Sequence, residues 1–326
     1  MKIELFNIWY FVAIVLSIGL YVGLYFLLKN KTEKTKKIVL FSILMFALAL
    51  HFMKGLWPPY STNKSLWYET SWFVNICGAN IAVFPFLFLS KRKGCKDYMF
   101  YIGLISGVIA LLYPVEIFEN EMHTVYWIDT LRFYLHHTII WVVPLLMVTL
   151  KLHKVSYKRI WTAPVGLLLL MLFIILNQVL QSEMGFIGVR DGNFDTINFR
   201  NSSMIWGADG DIGEFLAIFC PDIFKTVPVG PHAGEPKYWP WFWIIFPVFI
   251  LITPSAFLIA MIFDHKNFKD DCKTLFAKIK TLLNKRKTAK AGDGETAEEI
   301  MEIKTDDKKE VETVEINTEE KIDVES

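Results

Sequence analysis

Seven long apolar runs limit what this chain can fold into. They cover about 5–28, 38–55, 71–90, 97–114, 129–150, 160–180 and 239–263. A helix needs roughly 20 apolar residues to cross the ~30 Å hydrocarbon core of a bilayer, and a spanning segment must pair its backbone polar groups within the protein. The runs therefore predict an all-α, polytopic transmembrane helix bundle with about seven spans.

Basic residues alternate between the loops that join these runs. The loops after the first, third and fifth runs are rich in lysine and arginine, whereas the fourth loop has neither and carries Glu116, Glu119 and Glu121. Lysine and arginine in short loops stay on the cytoplasmic side of a membrane. The alternation predicts a multi-pass protein of the cell membrane, with its N-terminus outside and its C-terminus in the cytoplasm.

The chain divides by composition into three parts. Residues 1–263 are predicted to form the transmembrane domain, in which 181–238 is a long outer connection. Residues 264–290 are basic, with apolar residues at helical spacing, and predict an amphipathic helix on an anionic leaflet or a site for a cytoplasmic partner. Residues 291–326 are acidic, lack aromatic residues and are predicted to be disordered. The alternative for both tail segments is a purely solubilising role.

Within the outer connection, the apolar stretch from Ile212 to Phe224 is too short to cross a bilayer and is closed by Pro221. It is predicted either to lie in the interface as a re-entrant or interfacial segment, or to pack over the bundle. Both alternatives remain open from the sequence.

Charge and cysteine content indicate which partners to expect. The net charge is only +1, which gives no indication of nucleic-acid binding, and the four cysteines include no CxxC pair. A metal site formed by His51, His123 and His136 is an alternative without a recognisable ligand spacing. We therefore expect membrane lipids as partners, and no metal, cofactor or nucleic acid.

Polar residues gather in the outer halves of the runs, where each is a functional candidate because polar groups at membrane depth are costly. The inner halves are apolar, which predicts an outward-facing pocket with an apolar floor. The pocket candidates are His51, Asn75, Cys77, Asn80, Arg132, His136, His137, Asn177 and Gln178.

Cys77 and His137 are the predicted catalytic pair. Each is expected about 10 Å below the outer end of its helix, so the two meet if spans 3 and 5 pack together. An imidazole beside a thiol is a minimal base and nucleophile, and Arg132 or Asn80 could hold a phosphate or an oxyanion. The alternatives are a packing role for the cysteine and a disulfide between Cys77 and Cys220 on the oxidising outer side.

The order of several motifs is similar to that of the YwaF-like integral membrane proteins of bacteria, which themselves resemble a eukaryotic ether-phospholipid acyltransferase. The motifs occur in order over residues 5–263: His51 with Trp57, Cys77 with Pro85, Leu112-Tyr113-Pro114, His137 with Pro144, Asn177, Gly230-Pro231, and Pro240-Trp241-Phe242. The resemblance implies a cysteine nucleophile at Cys77 and selects His137 over His136.

Three functions follow as hypotheses. The first is a lipid acyltransferase or hydrolase that uses Cys77 and His137, with His51, Asn80, Arg132, His136 and Asn177 shaping the pocket. The alternatives are a small-solute transporter and a non-catalytic membrane scaffold or receptor. The sequence alone does not decide whether the protein is an enzyme.

The orientation is testable by labelling from outside intact cells. In a variant whose four cysteines are replaced by serine, Thr62→Cys should react with a membrane-impermeant maleimide, because the second loop is predicted to lie outside. Lys34→Cys in the first loop should react only after the membrane is permeabilised. The reverse pattern would contradict the predicted orientation.

Overall fold

The structure, a computed structural model, describes residues 3–58, 60–73, 75–114, 128–185, 201 and 203–291. Within these residues, six helices are long and apolar enough to cross a membrane, and a shorter apolar helix covers the third predicted run. The prediction of an all-α membrane bundle is confirmed. The count of seven spans and the orientation stay predictions.

The helices are numbered in chain order. They are α1 (Ile8–Leu28), α2 (Glu33–Met53), α3 (Lys64–Ser71), α4 (Ile76–Leu89), α5 (Lys93–Leu112), α6 (Ile128–Thr149), α7 (Thr162–Glu183), α8 (Gly210–Ala217) and α9 (Phe242–Ala291). Short 3-10 turns at Lys54–Leu56, Tyr157–Arg159 and Asp222–Phe224 join them.

Helices α5 and α6 form the most extensive contact of the bundle, and two glycines of α5 make it possible. A Cβ atom on Gly103 would lie 2.5 Å from the carbonyl oxygen of Ile140, and one on Gly107 would lie 2.9 Å from that of His137. Glycines four residues apart let two membrane helices approach until their backbones nearly touch. The G-x-x-x-G pattern of α5 therefore sets the position of α6 and of its histidines.

Helix α4 lies among α2, α5, α6 and α7 and contacts all four. The Tyr98 hydroxyl on α5 donates a 2.9 Å hydrogen bond to Oδ1 of Asn80 on α4. Gly166 on α7 leaves room for the Tyr98 ring, because a Cβ there would come within 2.2 Å of it. One tyrosine thus connects three helices at a single level of the bundle.

A buried ionic cluster ties the N-terminal end of α5 to the loop after α6. Asp97 is fully buried and accepts a 2.8 Å hydrogen bond from Nε2 of His153, and it pairs with the Arg159 guanidinium. In the same region, Asp264 near the end of the last span accepts a 3.0 Å hydrogen bond from the backbone N–H of Tyr157. Removing one partner of such a buried pair leaves a costly unpaired charge.

The described part of the outer connection packs on the end of α7. Trp206 donates to Oε1 of Gln178, and its backbone N–H donates to Asn201. The Ile205 carbonyl accepts from the backbone N–H of Trp241 and from the indole of Trp243. The stretch from Ile212 to Phe224 contains most of α8 and one 3-10 turn, and its place relative to a bilayer stays a prediction.

The chain separates into two units, Met1–His265 and Lys266–Ser326. The first contains the membrane bundle, and the second begins with the last turns of α9. Most of the predicted acidic tail, and His123 with the three glutamates of the fourth loop, lie outside the described residues.

Alanine at Gly103 tests the close approach of α5 and α6. The added methyl would collide with a backbone oxygen, so Gly103→Ala should lower the free energy of unfolding by about 1–3 kcal/mol. Thermal unfolding in detergent measures this. Gly19→Ala on α1 is the matched control, because nothing lies within 4 Å of the position that a Cβ would take there and alanine favours helix. Equal behaviour of the two variants would refute this packing.

Candidate functional site

Helix α4 begins at a capped turn that places Cys77 at its N-terminal end. The Asn75 side chain is the N-cap and accepts a 2.6 Å hydrogen bond from the backbone N–H of Gly78. The structure corrects the expected depth of Cys77 within its helix, because the residue lies in the first turn and not two turns in. The N-terminal end of a helix carries a partial positive charge, which favours the thiolate form of a cysteine.

His51 on α2 lies against this turn. Its Cε1 atom is 3.5 Å from the position that a Cβ on Gly78 would take, and its ring stacks on Phe73 with centroids 5.4 Å apart. Its Nε2 lies 3.1 Å from the Ser71 carbonyl oxygen. Because a carbonyl only accepts, Nε2 carries the proton and Nδ1 is the basic nitrogen.

His136 on α6 faces His51, with ring centroids 6.3 Å apart. It is buried, and among the described residues its Nε2 has no hydrogen-bond partner; the same holds for Nδ2 of Asn80. Leaving a buried polar group unpaired costs about 1–3 kcal/mol. Two such groups near the start of α4 mark a place where polar atoms of a ligand would be bound favourably.

His137 is oriented by its own helix. Its Nδ1 donates a 2.8 Å hydrogen bond to the Phe133 carbonyl oxygen, so Nε2 is the basic nitrogen. Its ring centroid is 4.1 Å from that of Phe133. The structure brings together His51 and His136, two of the three histidines named for the alternative metal site, whereas the pairing of Cys77 with His137 stays a prediction.

A charged network lies next to the two facing histidines. Asp129 is fully buried, pairs with the Arg132 guanidinium and accepts a 2.9 Å hydrogen bond from the Tyr60 hydroxyl. The Lys54 ammonium lies 5.3 Å from the centroid of the Tyr60 ring, within cation–π range. Sequence reasoning found Arg132 but missed Lys54 and Asp129, because both stand at the ends of apolar runs where charges are ordinary.

Asn177 and Gln178 lie near the C-terminal end of α7. Nδ2 of Asn177 donates to the Phe173 carbonyl oxygen of its own helix at 2.8 Å, and Gln178 accepts from Trp206. The Phe173 ring lies 6.2 Å from that of Phe73, which packs on His51. The supporting role of Asn177 stays a prediction, because its side-chain hydrogen bond is to its own helix.

All four cysteines are thiols, so the alternative disulfide between Cys77 and Cys220 is not formed in this structure. Burial raises the pKa of the Cys220 thiol above its ordinary value, which keeps it protonated. Cys77 is partly exposed. In the described ranges, no group of three or more potential metal ligands comes together.

A separate apolar groove of about 390 Å³ lies between α1 and α6. Leu16 and Tyr134 are among its lining residues. At 100° per residue, Tyr134 lies on the opposite side of α6 from Arg132 and His136. The groove is therefore distinct from the cluster around Cys77.

Comparisons with known proteins give one match. The family model described as the TMEM164 family matches residues 4–252, which is most of the chain. No curated protein and no solved structure matches.

The cap of α4 can be tested directly. Asn75→Ala removes the acceptor for the Gly78 N–H and should lower the free energy of unfolding by about 1 kcal/mol. Asn75→Asp keeps an acceptor oxygen and is the control. Denaturant unfolding in detergent compares the two, and an alanine variant as stable as the aspartate variant would contradict the capping role.

Proposed function

The chain belongs to the TMEM164 family of transmembrane proteins, and on that premise we propose that it transfers or hydrolyses acyl groups of membrane lipids. The reaction takes place in an outward-facing pocket at the start of α4. Cys77 is the nucleophile, and His137 is the general base.

The length and capped start of α4 carry this proposal. The helix has 14 residues and is about 21 Å long, shorter than the ~30 Å hydrocarbon core. With its inner end at the basic loop that begins at Lys91, its N-terminus lies about 9 Å inside the outer hydrocarbon boundary. The partial positive charge of a helix N-terminus favours anionic groups of a substrate, as at the discontinuous helices of some transporters.

The chemistry follows in two halves. The basic nitrogen of His137 takes the Cys77 thiol proton, and the thiolate attacks the carbonyl carbon of a lipid ester. The carbonyl oxygen becomes an oxyanion, which Nδ2 of Asn80 stabilises. The tetrahedral intermediate collapses, and the C–O bond breaks. The leaving lysolipid oxygen takes the proton from the imidazolium, and the acyl group remains on Cys77 as a thioester.

The second half returns the enzyme to its starting state. The imidazole takes a proton from the hydroxyl of a lysolipid, or from water, and that oxygen attacks the thioester. The new ester or free acid leaves, and the Cys77 sulfur takes back the proton from the imidazolium. A lysolipid acceptor gives transfer, whereas water gives hydrolysis.

The surrounding groups suit a phospholipid. The Arg132 guanidinium beside Asp129 and the Lys54 ammonium near Tyr60 are groups of the kind that bind the phosphate of a lipid head group. The inner part of α4 is filled by Phe84 and Phe88, both buried, which suits acyl chains and disfavours a continuous path for a polar solute. The resemblance to YwaF-like proteins, and through them to an ether-phospholipid acyltransferase, supports the same substrate class.

His51 is a second candidate for the base. It contacts the first turn of α4 through Gly78, and its Nδ1 is the basic nitrogen. The sequence motif favours His137 and the described contacts favour His51, so both histidines are replaced in the experiment below.

The proposal predicts loss of turnover when the thiol is removed. Purified protein in vesicles, supplied with a lysophospholipid and a phospholipid acyl donor, is assayed for acyl exchange by mass spectrometry. Cys77→Ala should abolish exchange because no thioester forms. Cys95→Ala, which removes a thiol from the far end of the bundle, is the control and should leave exchange intact.

The same assay distinguishes whether His137 or His51 is the general base. Removing the base should slow exchange by about 10²–10⁴-fold, and His137→Gln is expected to show this loss. If His51→Gln shows the loss and His137→Gln does not, His51 is the base. Undiminished exchange in Cys77→Ala would remove Cys77 from the mechanism.

A further inference from the structure

Helix α9 changes character at Asp264. This residue has φ −130° and ψ 18°, which interrupts the helical conformation, and the helix then continues to Ala291. Beyond the interruption, five large apolar side chains are exposed: Leu275, Phe276, Ile279, Leu282 and Leu283, with exposed fractions of 58%, 71%, 42%, 61% and 53%.

These apolar side chains form one face. At 100° per residue, they fall with Phe268 and Cys272 in a sector of about 120°. Lys269 and Lys280 border one edge of this sector, and Lys278 borders the other. Residues 266–284 carry five lysines and two aspartates, a net charge of +3. The segment is therefore an amphipathic helix with cationic margins.

Such a face requires a partner, since apolar patches of this size are rarely left in water. Chain continuity places the start of the segment at the membrane surface, because it directly follows the last span. Lysines along both margins of an apolar sector can extend their ammonium groups toward head groups while the sector enters the acyl boundary. The position of the segment directly after the last span favours a lipid surface as its partner.

We propose that residues 266–284 bind flat on the membrane surface where the last span ends, with the apolar sector buried among lipid chains and the lysines paired with anionic phospholipid head groups. The non-helical conformation at Asp264 supplies the break in the helix that this requires. The segment thereby makes the protein sensitive to the anionic lipid content of its leaflet. This inference does not depend on the proposed catalytic function.

The native Cys272 offers a probe within the apolar sector. In the full-length protein with Cys77, Cys95 and Cys220 replaced by serine, a nitroxide on Cys272 reports collisions with oxygen, which concentrates in lipid, and with a water-soluble nickel complex. The matched control also carries Cys272→Ser and Thr281→Cys, which puts the label on the polar side. The protein is placed in phosphatidylcholine vesicles with and without phosphatidylglycerol.

With phosphatidylglycerol present, the label on Cys272 should lose its collisions with nickel and gain collisions with oxygen, while the label at position 281 stays accessible to nickel. Replacing Lys269, Lys278 and Lys280 together by glutamine should restore nickel collisions at Cys272, because the attraction to the anionic surface is reduced. Equal nickel accessibility at both positions in anionic vesicles would overturn the proposal. So would protection of Cys272 that is independent of phosphatidylglycerol and of the lysines, the result expected for a protein contact.

Discussion

The hydrogen bond that caps the first turn of α4 is the contact on which the rest of the site depends, because the Asn75 side chain accepts from the backbone N–H of Gly78 and fixes where the helix begins. A helix that starts inside a bilayer is tolerated only where protein surrounds its end or a polar cavity faces it. Here Asn75 caps the turn, and α2, α5, α6 and α7 surround the helix. The positive end of α4 is thus kept in a protein-lined space, and Cys77 stands at that end.

Glycines determine how closely the surrounding helices approach. Gly103 and Gly107 bring the backbone of α6 against α5, and Gly166 makes room for Tyr98, whose hydroxyl reaches Asn80. These contacts fix the heights of α4 and α6 relative to each other. The Asp97 cluster at the far end of α5 holds the same helices by buried charge. As a consequence, polar side chains meet near the start of α4, whereas the buried phenylalanines Phe84 and Phe88 pack along its inner part.

The lengths of the apolar runs predicted the helices, because a bilayer nearly fixes how many apolar residues a spanning helix needs. A single sequence therefore shows which segments are long enough to cross. The clustering of polar residues at one level was also visible, since any polar residue in an apolar run is conspicuous.

The start of α4 at Ile76 could not be predicted from the sequence. The residues before it are nearly as apolar as those within it, and only the cap at Asn75 distinguishes them. The family of the chain came from the match over residues 4–252.

The contacts between helices were the least predictable. The facing of His51 and His136 depends on how far α6 is drawn toward α2, which no spacing within one helix shows. Nothing in the sequence indicated that Asp97 and His153 are paired, yet both are enclosed because the loop after α6 folds back over the end of α5. At the opposite end of the bundle, the burial of Lys54 and Asp129 was equally invisible in the sequence. Sequence patterns report which face of a helix is polar, whereas the partner of that face is a property of the packed bundle.

The account is tested most directly by trapping the acyl group. The protein, embedded in vesicles of phospholipid with a labelled acyl chain, is quenched in acid during turnover, digested and analysed by mass spectrometry. The account predicts the labelled acyl mass on the peptide that contains Cys77, removable by neutral hydroxylamine as a thioester is. Continued acyl exchange with the label on no cysteine, or on a cysteine other than Cys77, would contradict it.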